Sequence, residues 1–240
     1  MKINLKHGFT LVEMSIVLVI IGLIVGSISL GQYLMNNARI RTVIKEFDNL
    51  YMAIQLFKEQ YEALPGNFTR AGSFWTSATC ANSAATAGCN GDGDHTIDWG
   101  TSVSGEEHYR VWQHLSLAGF IEGSFTGTNT KSDHYPSKFP NGFYDMRWMY
   151  PYSGFAHKNF LELGAWSGSS MDYALLTPNN AYNIDRKIDN GIANSGKIYG
   201  VDGMNVALST CSYAWNTAGG LASYTLSNSN NTCRVQLLIE

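Results

Sequence analysis

The rhythm of hydrophobic and polar positions changes along the chain. From Phe9 to Leu30 nearly every residue is apolar. As a helix rising ~1.5 Å per residue, that run is about long enough to cross a bilayer. Beyond Gly31, apolar residues recur at three- and four-residue steps: Ile40, Val43, Ile44, Phe47, Leu50, Tyr51, Ile54, Phe57 and Tyr61. This spacing lays one stripe along an amphipathic helix. Arg39, Arg41, Lys45, Glu46, Lys58 and Glu59 fill the other positions, and Leu64-Pro65-Gly66 ends the run. The pattern predicts one helix from Phe9 to Leu64, roughly 80 Å long. Its first half reads as an anchor and its second as the spine of a head. A coiled coil would show the same stripe, but the rest of the chain needs a helix to cover its sheet.

From Asn67 onward, short segments alternate with Gly, Asn, Ser and Pro, without internal repeats. Glu106–Gly119 reads as a helix, with acids at its start, an apolar stripe through Val111, Trp112 and Leu115, and a closing glycine. A second short helix is expected over Pro178–Ile188, stopped by Asn190-Gly191. Strands are expected at Gly142–Tyr150, Asn159–Ala165, Asp172–Thr177, Lys197–Val201 and Val235–Ile239. The fold class is therefore α+β, a long N-terminal helix on a small antiparallel sheet with a loop-rich head. The organisation is a leader over residues 1–8, an apolar helix over 9–30, its amphipathic continuation over 31–66 and a globular head over 67–240.

Composition narrows the function. The hydrophobic share of 45% is that of a folded chain, while charged residues reach only 15%. The net charge of -3 and the lack of a basic tract leave no electrostatic footprint for nucleic acid. Lys2 and Lys6 precede the apolar run, so its N-terminal end should stay cytoplasmic and the bulk of the chain should lie outside. There the four cysteines read as disulfides rather than as a zinc site, which wants tighter spacing. Cys80–Cys89 and Cys211–Cys233 would each close a local loop.

One acid breaks the apolar run. Glu13 inside a membrane segment is costly and marks function by default. A secretory signal would place a small-residue cleavage site after the run, whereas here Gly8 precedes it. Gly8-Phe9-Thr10-Leu11-Val12-Glu13, followed by the apolar run, resembles the processing site of type IV prepilins and type II secretion pseudopilins. The resemblance implies cleavage after Gly8 by a prepilin peptidase, N-methylation of Phe9 by the same enzyme, and Glu13 as the assembly residue. It also implies residence in the inner membrane, single-pass with a periplasmic head, followed by passage into a pilus or pseudopilus. The implied partners are homologous pilin subunits, the peptidase, the inner-membrane assembly platform and the membrane itself. Leu30 stands where many family members have a proline that lets the helix melt; Gly26-Ser27 and Gly31 are the local weak points instead. The Cys211–Cys233 loop resembles the disulfide-bounded C-terminal region of many pilins.

Asn90, Asp92, Asp94, Thr96 and Asp98 alternate oxygen-bearing side chains as an EF-hand-type loop does, with Ile97 at the aliphatic position. His95 occupies the usual glycine position and Thr101 that of the bidentate acid, for which Glu106 or Glu107 could substitute from the following helix. Calcium is the metal this oxygen set suits; an Asn/Gly/Asp turn without metal is the alternative. No organic cofactor is indicated. No nucleophile-elbow, zinc-protease or P-loop spacing occurs, and His108 and His114 read as core or surface histidines, so an enzyme is not expected. Trp75, Trp99, Trp112, Trp148 and Trp166 build either a core, an interface or a glycan-binding face. The rival readings to a filament subunit are a tip-located or membrane-anchored protein that binds a surface, a glycan or a secreted partner. Gly8-Phe9 and Glu13 speak against an anchor that never polymerises.

Overall fold

Leu11–Tyr61 forms one helix of 51 residues, α1. The computed structural model that shows it describes residues 9–75, 89–99, 107–127, 131–149, 157–168, 171–212 and 220–239. The helix starts at Leu11 rather than Phe9, because Thr10 takes the capping position, and stops at Tyr61, where Glu62 turns into the left-handed region at φ 54°. Gly26-Ser27 and Gly31 do not interrupt it.

The chain divides into two units, Met1–Arg39 and Ile40–Glu240. In the first, the large apolar side chains from Phe9 to Met35 are exposed, Leu11 by 86% and Leu23 by 68%. An 18-residue window here has a mean hydropathy of 2.6.

In the second unit, the three- and four-residue stripe becomes the core. Ile40, Val43, Phe47, Leu50, Ile54 and Phe57 are buried, and Phe47 meets Tyr144 of the sheet edge-on at 5.2 Å. Each such side chain contributes about 1.5–3 kcal/mol when removed from water. Glu46, expected on the polar side, is buried as well. Its carboxylate accepts from the Ser137 hydroxyl (2.6 Å), the Lys138 N–H (2.9 Å) and the Tyr144 hydroxyl (3.1 Å), which compensates its desolvation.

The sheet contains β1 (Tyr135–Pro136), β2 (Gly142–Met149), β3 (Lys158–Ala165), β4 (Ile198–Asp202) and β5 (Cys233–Ile239) in the order β1-β2-β3-β5-β4, all neighbours antiparallel. Among the described residues the unit also holds three short α-helices, α2 (Ala71–Phe74), α3 (Glu107–Leu117) and α4 (Pro178–Ile188), and a 3-10 turn at Lys131–Asp133. Thr177 caps α4 by accepting from the Asn180 N–H, with Pro178 in the first turn where its missing N–H costs nothing. This is an α+β, pilin-like layout, a long N-terminal helix packed on a small antiparallel sheet.

One strand expectation needs correction, and one strand, β1, was not expected. Asp172–Thr177 makes only isolated bridges, Tyr173 to Ala165 and Leu176 to Cys233. β3 and β5 pair with each other only as far as Leu163–Val235, and the segment bridges the ends left free beyond, at Ala165 and Cys233, one residue on each, too short a contact for a strand. β1 escaped notice because two residues carry no periodicity.

Alternation puts Tyr144, Met146, Leu161, Leu163, Val235 and Leu237 on the face toward α1. The opposite face holds a buried charge network. Arg147 lies 3.0 Å from Asp145, 3.0 Å from Glu162 and 2.6 Å from Asp172, and Arg234 lies 2.7 Å from Glu162. Gln236 donates to the second Glu162 oxygen at 2.5 Å.

Candidate functional site: the N-terminal segment and an acidic loop

The first site is built by the start of α1. Phe9 and Thr10 precede the helix, so the Gly8-Phe9 bond falls before it; Gly8 itself lies outside the described residues. Thr10 and Glu13 bond reciprocally. The Glu13 N–H donates to the Thr10 hydroxyl oxygen (3.2 Å), while the Thr10 N–H and hydroxyl both donate to Glu13 Oε2 at 2.8 Å. This is a capping box, which satisfies helix N–H groups that have no partner within the helix. The Thr-x-x-Glu spacing that makes it is present in the sequence at Thr10 and Glu13. Phe9 is 79% exposed, and the large apolar side chains that follow it in α1 are exposed as well.

The second site gathers around α3. One oxygen from each of Asp92, Asp94 and Glu107 lies within 4.8 Å of the others. Asn67, just past α1, points its amide nitrogen at all three: 3.0 Å to Asp92, 3.3 Å to Asp94 and 2.9 Å to Glu107. Its oxygen accepts from the His95 N–H at 2.9 Å. Sequence reasoning missed Asn67, because nothing in Pro65-Gly66-Asn67 distinguishes it from an ordinary turn.

The remaining loop residues divide. Asn90 Oδ1 accepts from the Gly72 N–H (2.8 Å), which directs it toward α2. The Thr96 hydroxyl bonds to Asp94 at 2.8 Å and to Asp98 at 3.3 Å. Glu106 lies outside the described residues, and Glu107 stands at the start of α3 beside Asp92 and Asp94. His95, at the EF-hand glycine position, adopts φ 72°, the left-handed turn that glycine usually supplies. Ile97 is wholly buried and docks the loop on the sheet: its N–H donates to Asn159 (3.0 Å) and its carbonyl accepts from Trp148 N–H (2.8 Å).

Electrostatics set Glu107 apart. Burial pushes its carboxyl up to about 7, against the pull of N–H groups from Asp92 and Asp98 and the Asn67 amide, and the Asp92 charge raises it further. Burial and the Asp94 charge also raise Asp98. Burial works against the Asp94 carboxylate too, but bonds from Thr96 prevail and hold it below the usual range. The donor set is all oxygen, which suits a hard cation.

His114 is buried and ties two backbone segments of this region together. Its Nδ1 accepts from the Gly66 N–H (2.9 Å), so Nε2 carries the proton and donates to the Cys89 carbonyl (2.8 Å). A Cβ on Gly66 would stand 2.6 Å from the Glu107 carbonyl oxygen, so only glycine allows this approach. His108 and His114 are both buried, and burial lowers each to about 4. Cys211–Cys233 is a disulfide with Cα atoms 4.9 Å apart. Cys89 is also disulfide-bonded; its expected partner Cys80 lies outside the described residues.

Residues 3–29 match the family described as "Prokaryotic N-terminal methylation motif", the type IV prepilin-like signal. No curated protein and no solved structure matches the chain. The motif supports a type IV pilin-like protein and implies processing by prepilin peptidase and assembly with other pilin subunits. With the exposed apolar helix it points to membrane anchoring.

Proposed function

We propose that the protein is a structural subunit of a type IV pilus or a type II secretion pseudopilus. It is cut after Gly8, N-methylated on Phe9, held in the inner membrane by Phe9–Leu30 with its head in the periplasm, and then drawn into the filament. The observation that carries this reading is a single acid, Glu13, in the first turn of an exposed apolar helix that matches the methylation motif. In a filament core a lone carboxylate is intolerable unless paired. Both bonds from Thr10 end on Oε2, which leaves Oε1 for the Phe9 amine of a neighbouring subunit. Apolar contact supplies adhesion, and the charge pair selects the axial register.

Two measurements test it. Mass spectrometry of the membrane protein should find a chain that begins at N-methyl-Phe9; an intact Met1 would sink the reading. Glu13→Val should insert and be processed normally, yet vanish from the sheared filament fraction. Assembly equal to that of the unsubstituted protein would remove Glu13 from the mechanism.

The acidic loop is proposed to hold calcium, with Asp92, Asp94 and Glu107 as ligands and Asn67 turning aside or presenting its oxygen. The support is a convergent, oxygen-only donor set around a buried acid. Chelation should lower the melting temperature of the full chain in detergent, and calcium but not magnesium should restore it, since a loose cage suits the larger ion. No calcium-dependent shift at millimolar levels would leave a plain turn.

A further inference from the structure

A cleft of ≈ 460 Å³ opens where β2 ends, within the size range of small-molecule sites, about 300–1,000 Å³. Trp99, Trp148 and His157 line it together with Arg147, Asp172 and Arg234.

The tryptophans divide by use. Trp112 is wholly buried, and Trp75 packs among Phe57, Tyr61 and Phe68. Trp99 is 64% exposed. It nonetheless follows closely on Ile97, which is fixed by its buried side chain and by bonds from both its N–H and its carbonyl. The indole is therefore presented to solvent from a rigid base. Trp148 stands beside it in the lining, with its ring 4.2 Å from that of His157.

The polar part of the lining is preset. Arg147 and Arg234 are held by Glu162 and Asp172, and Asp172 keeps 16% of its side chain exposed. Asp145, Glu162 and Asp172 face Arg147 and Arg234 in one network, so three carboxylates share two guanidinium groups and both signs are paired. An anion meets the surplus of acid, and a cation meets two guanidinium groups. The ligand that suits an indole wall and a charge-paired floor is neutral, with a flat apolar face and a rim of hydroxyls that both donate and accept. We propose that this cleft binds a neutral pyranose, with one ring face on Trp99 and its hydroxyls shared between Asp172 and Arg234. The inference stands apart from the filament role and from the calcium loop.

The test uses the full chain in a zwitterionic detergent that has no sugar headgroup. Probes are the methyl glycosides of glucose, galactose and N-acetylglucosamine, with methyl glucuronide as the anionic and glucosamine as the cationic comparison. Saturation-transfer NMR should show saturable binding of at least one neutral glycoside. Trp99→Ala should weaken it by roughly tenfold or more, Trp99→Phe by less, with the melting temperature unchanged in both because the ring is exposed. The charged probes should bind more weakly than their neutral counterparts. The proposal is overturned if no neutral glycoside saturates, if binding survives Trp99→Ala undiminished, or if a charged probe binds more tightly.

Discussion

Helix α1 passes through two opposite environments, and the contrast separates what the chain does for itself from what it needs from others. From Ile40 to Phe57 the apolar stripe is buried against the head's own sheet, and even the acid on it, Glu46, finds three donors. From Phe9 to Met35 the large apolar side chains are exposed. A surface that apolar and continuous requires a membrane or a neighbour. Glycines make the same point. A Cβ at Gly66 or Gly164 would strike backbone oxygen, whereas at Gly22, Gly26 and Gly31 it would meet nothing within 4 Å. Glycine costs about 1 kcal/mol relative to alanine inside a helix, so the reason for these three lies outside the isolated chain. The head explains its own sequence, and the N-terminal segment does not.

The largest expected effect breaks the contrast directly. Phe57 is wholly buried and ringed by Phe68, Trp75 and His114. Phe57→Ala should cost about 3–5 kcal/mol of head stability, because the cavity adds to the lost transfer energy. Ile20→Ala, in the exposed segment, should shift it by less than about 0.5 kcal/mol. Thermal unfolding of the full chain in detergent measures both. A comparable loss from Ile20→Ala would mean that the head does not fold independently of the anchor's side chains.

A middle-sized effect belongs to the head alone, where buried titrating groups oppose one another. Glu107 is raised by burial from 4.5 to about 7. Its protonated form therefore favours the fold below its unfolded value, and this is lost as pH rises through about 7 in calcium-free solution. His108 and His114 are lowered by burial from 6.5 to about 4. Their neutral forms favour the fold at neutral pH, and this is lost as pH falls from about 6.5 toward 4. Calcium-free protein should thus be most stable at mildly acidic pH. Glu107→Gln should raise its stability above about pH 7 by on the order of 1–3 kcal/mol, and should abolish the response to calcium. Denaturant titrations across pH check both; a variant less stable than the parent in calcium-free, mildly alkaline solution would show that Glu107 is not a strained acid.

Much of this division was legible in the sequence because periodicity reports burial. The stripe from Ile40 to Tyr61 and the helix Pro178–Ile188 follow from spacing and caps. What escaped depends on long-range geometry. No local pattern tells that Asn67 turns back to three acids from elsewhere in the chain, or that Glu46 finds hydroxyls from β2 and the loop before it. Asp172–Thr177 has strand-like residues, yet only single residues at the ends of β3 and β5, Ala165 and Cys233, are open to it. At the acidic loop, alternation marked Asp92 and Asp94, which the fold brings beside Glu107. It could not separate them from Asn90, whose side chain is drawn to Gly72 by a contact with no sequence signal.

The smallest effect sharpens the comparison most, because it falls on one residue of the part that needs a partner, where a bond within the chain and a proposed bond to a neighbour share a carboxylate. Glu13 has two accounts: it closes the capping box with Thr10, and it is proposed to meet a neighbour's amine. The accounts are separable, since glutamine serves in a capping box as well as glutamate does but carries no charge. Thr10→Ala removes the hydroxyl that accepts from the Glu13 N–H and should fray the first turn by about 1 kcal/mol. Amide exchange at residues 11–14 in detergent would show faster opening there. Filament assembly should be reduced little, because the carboxylate remains. Glu13→Gln should do the reverse, with first-turn exchange nearly unchanged and assembly sharply reduced, since the amide cannot neutralise an ammonium in a dry core. If Glu13→Gln assembles normally while Thr10→Ala does not, the acid is there to start the helix, and the register of the filament must be set elsewhere along the apolar face.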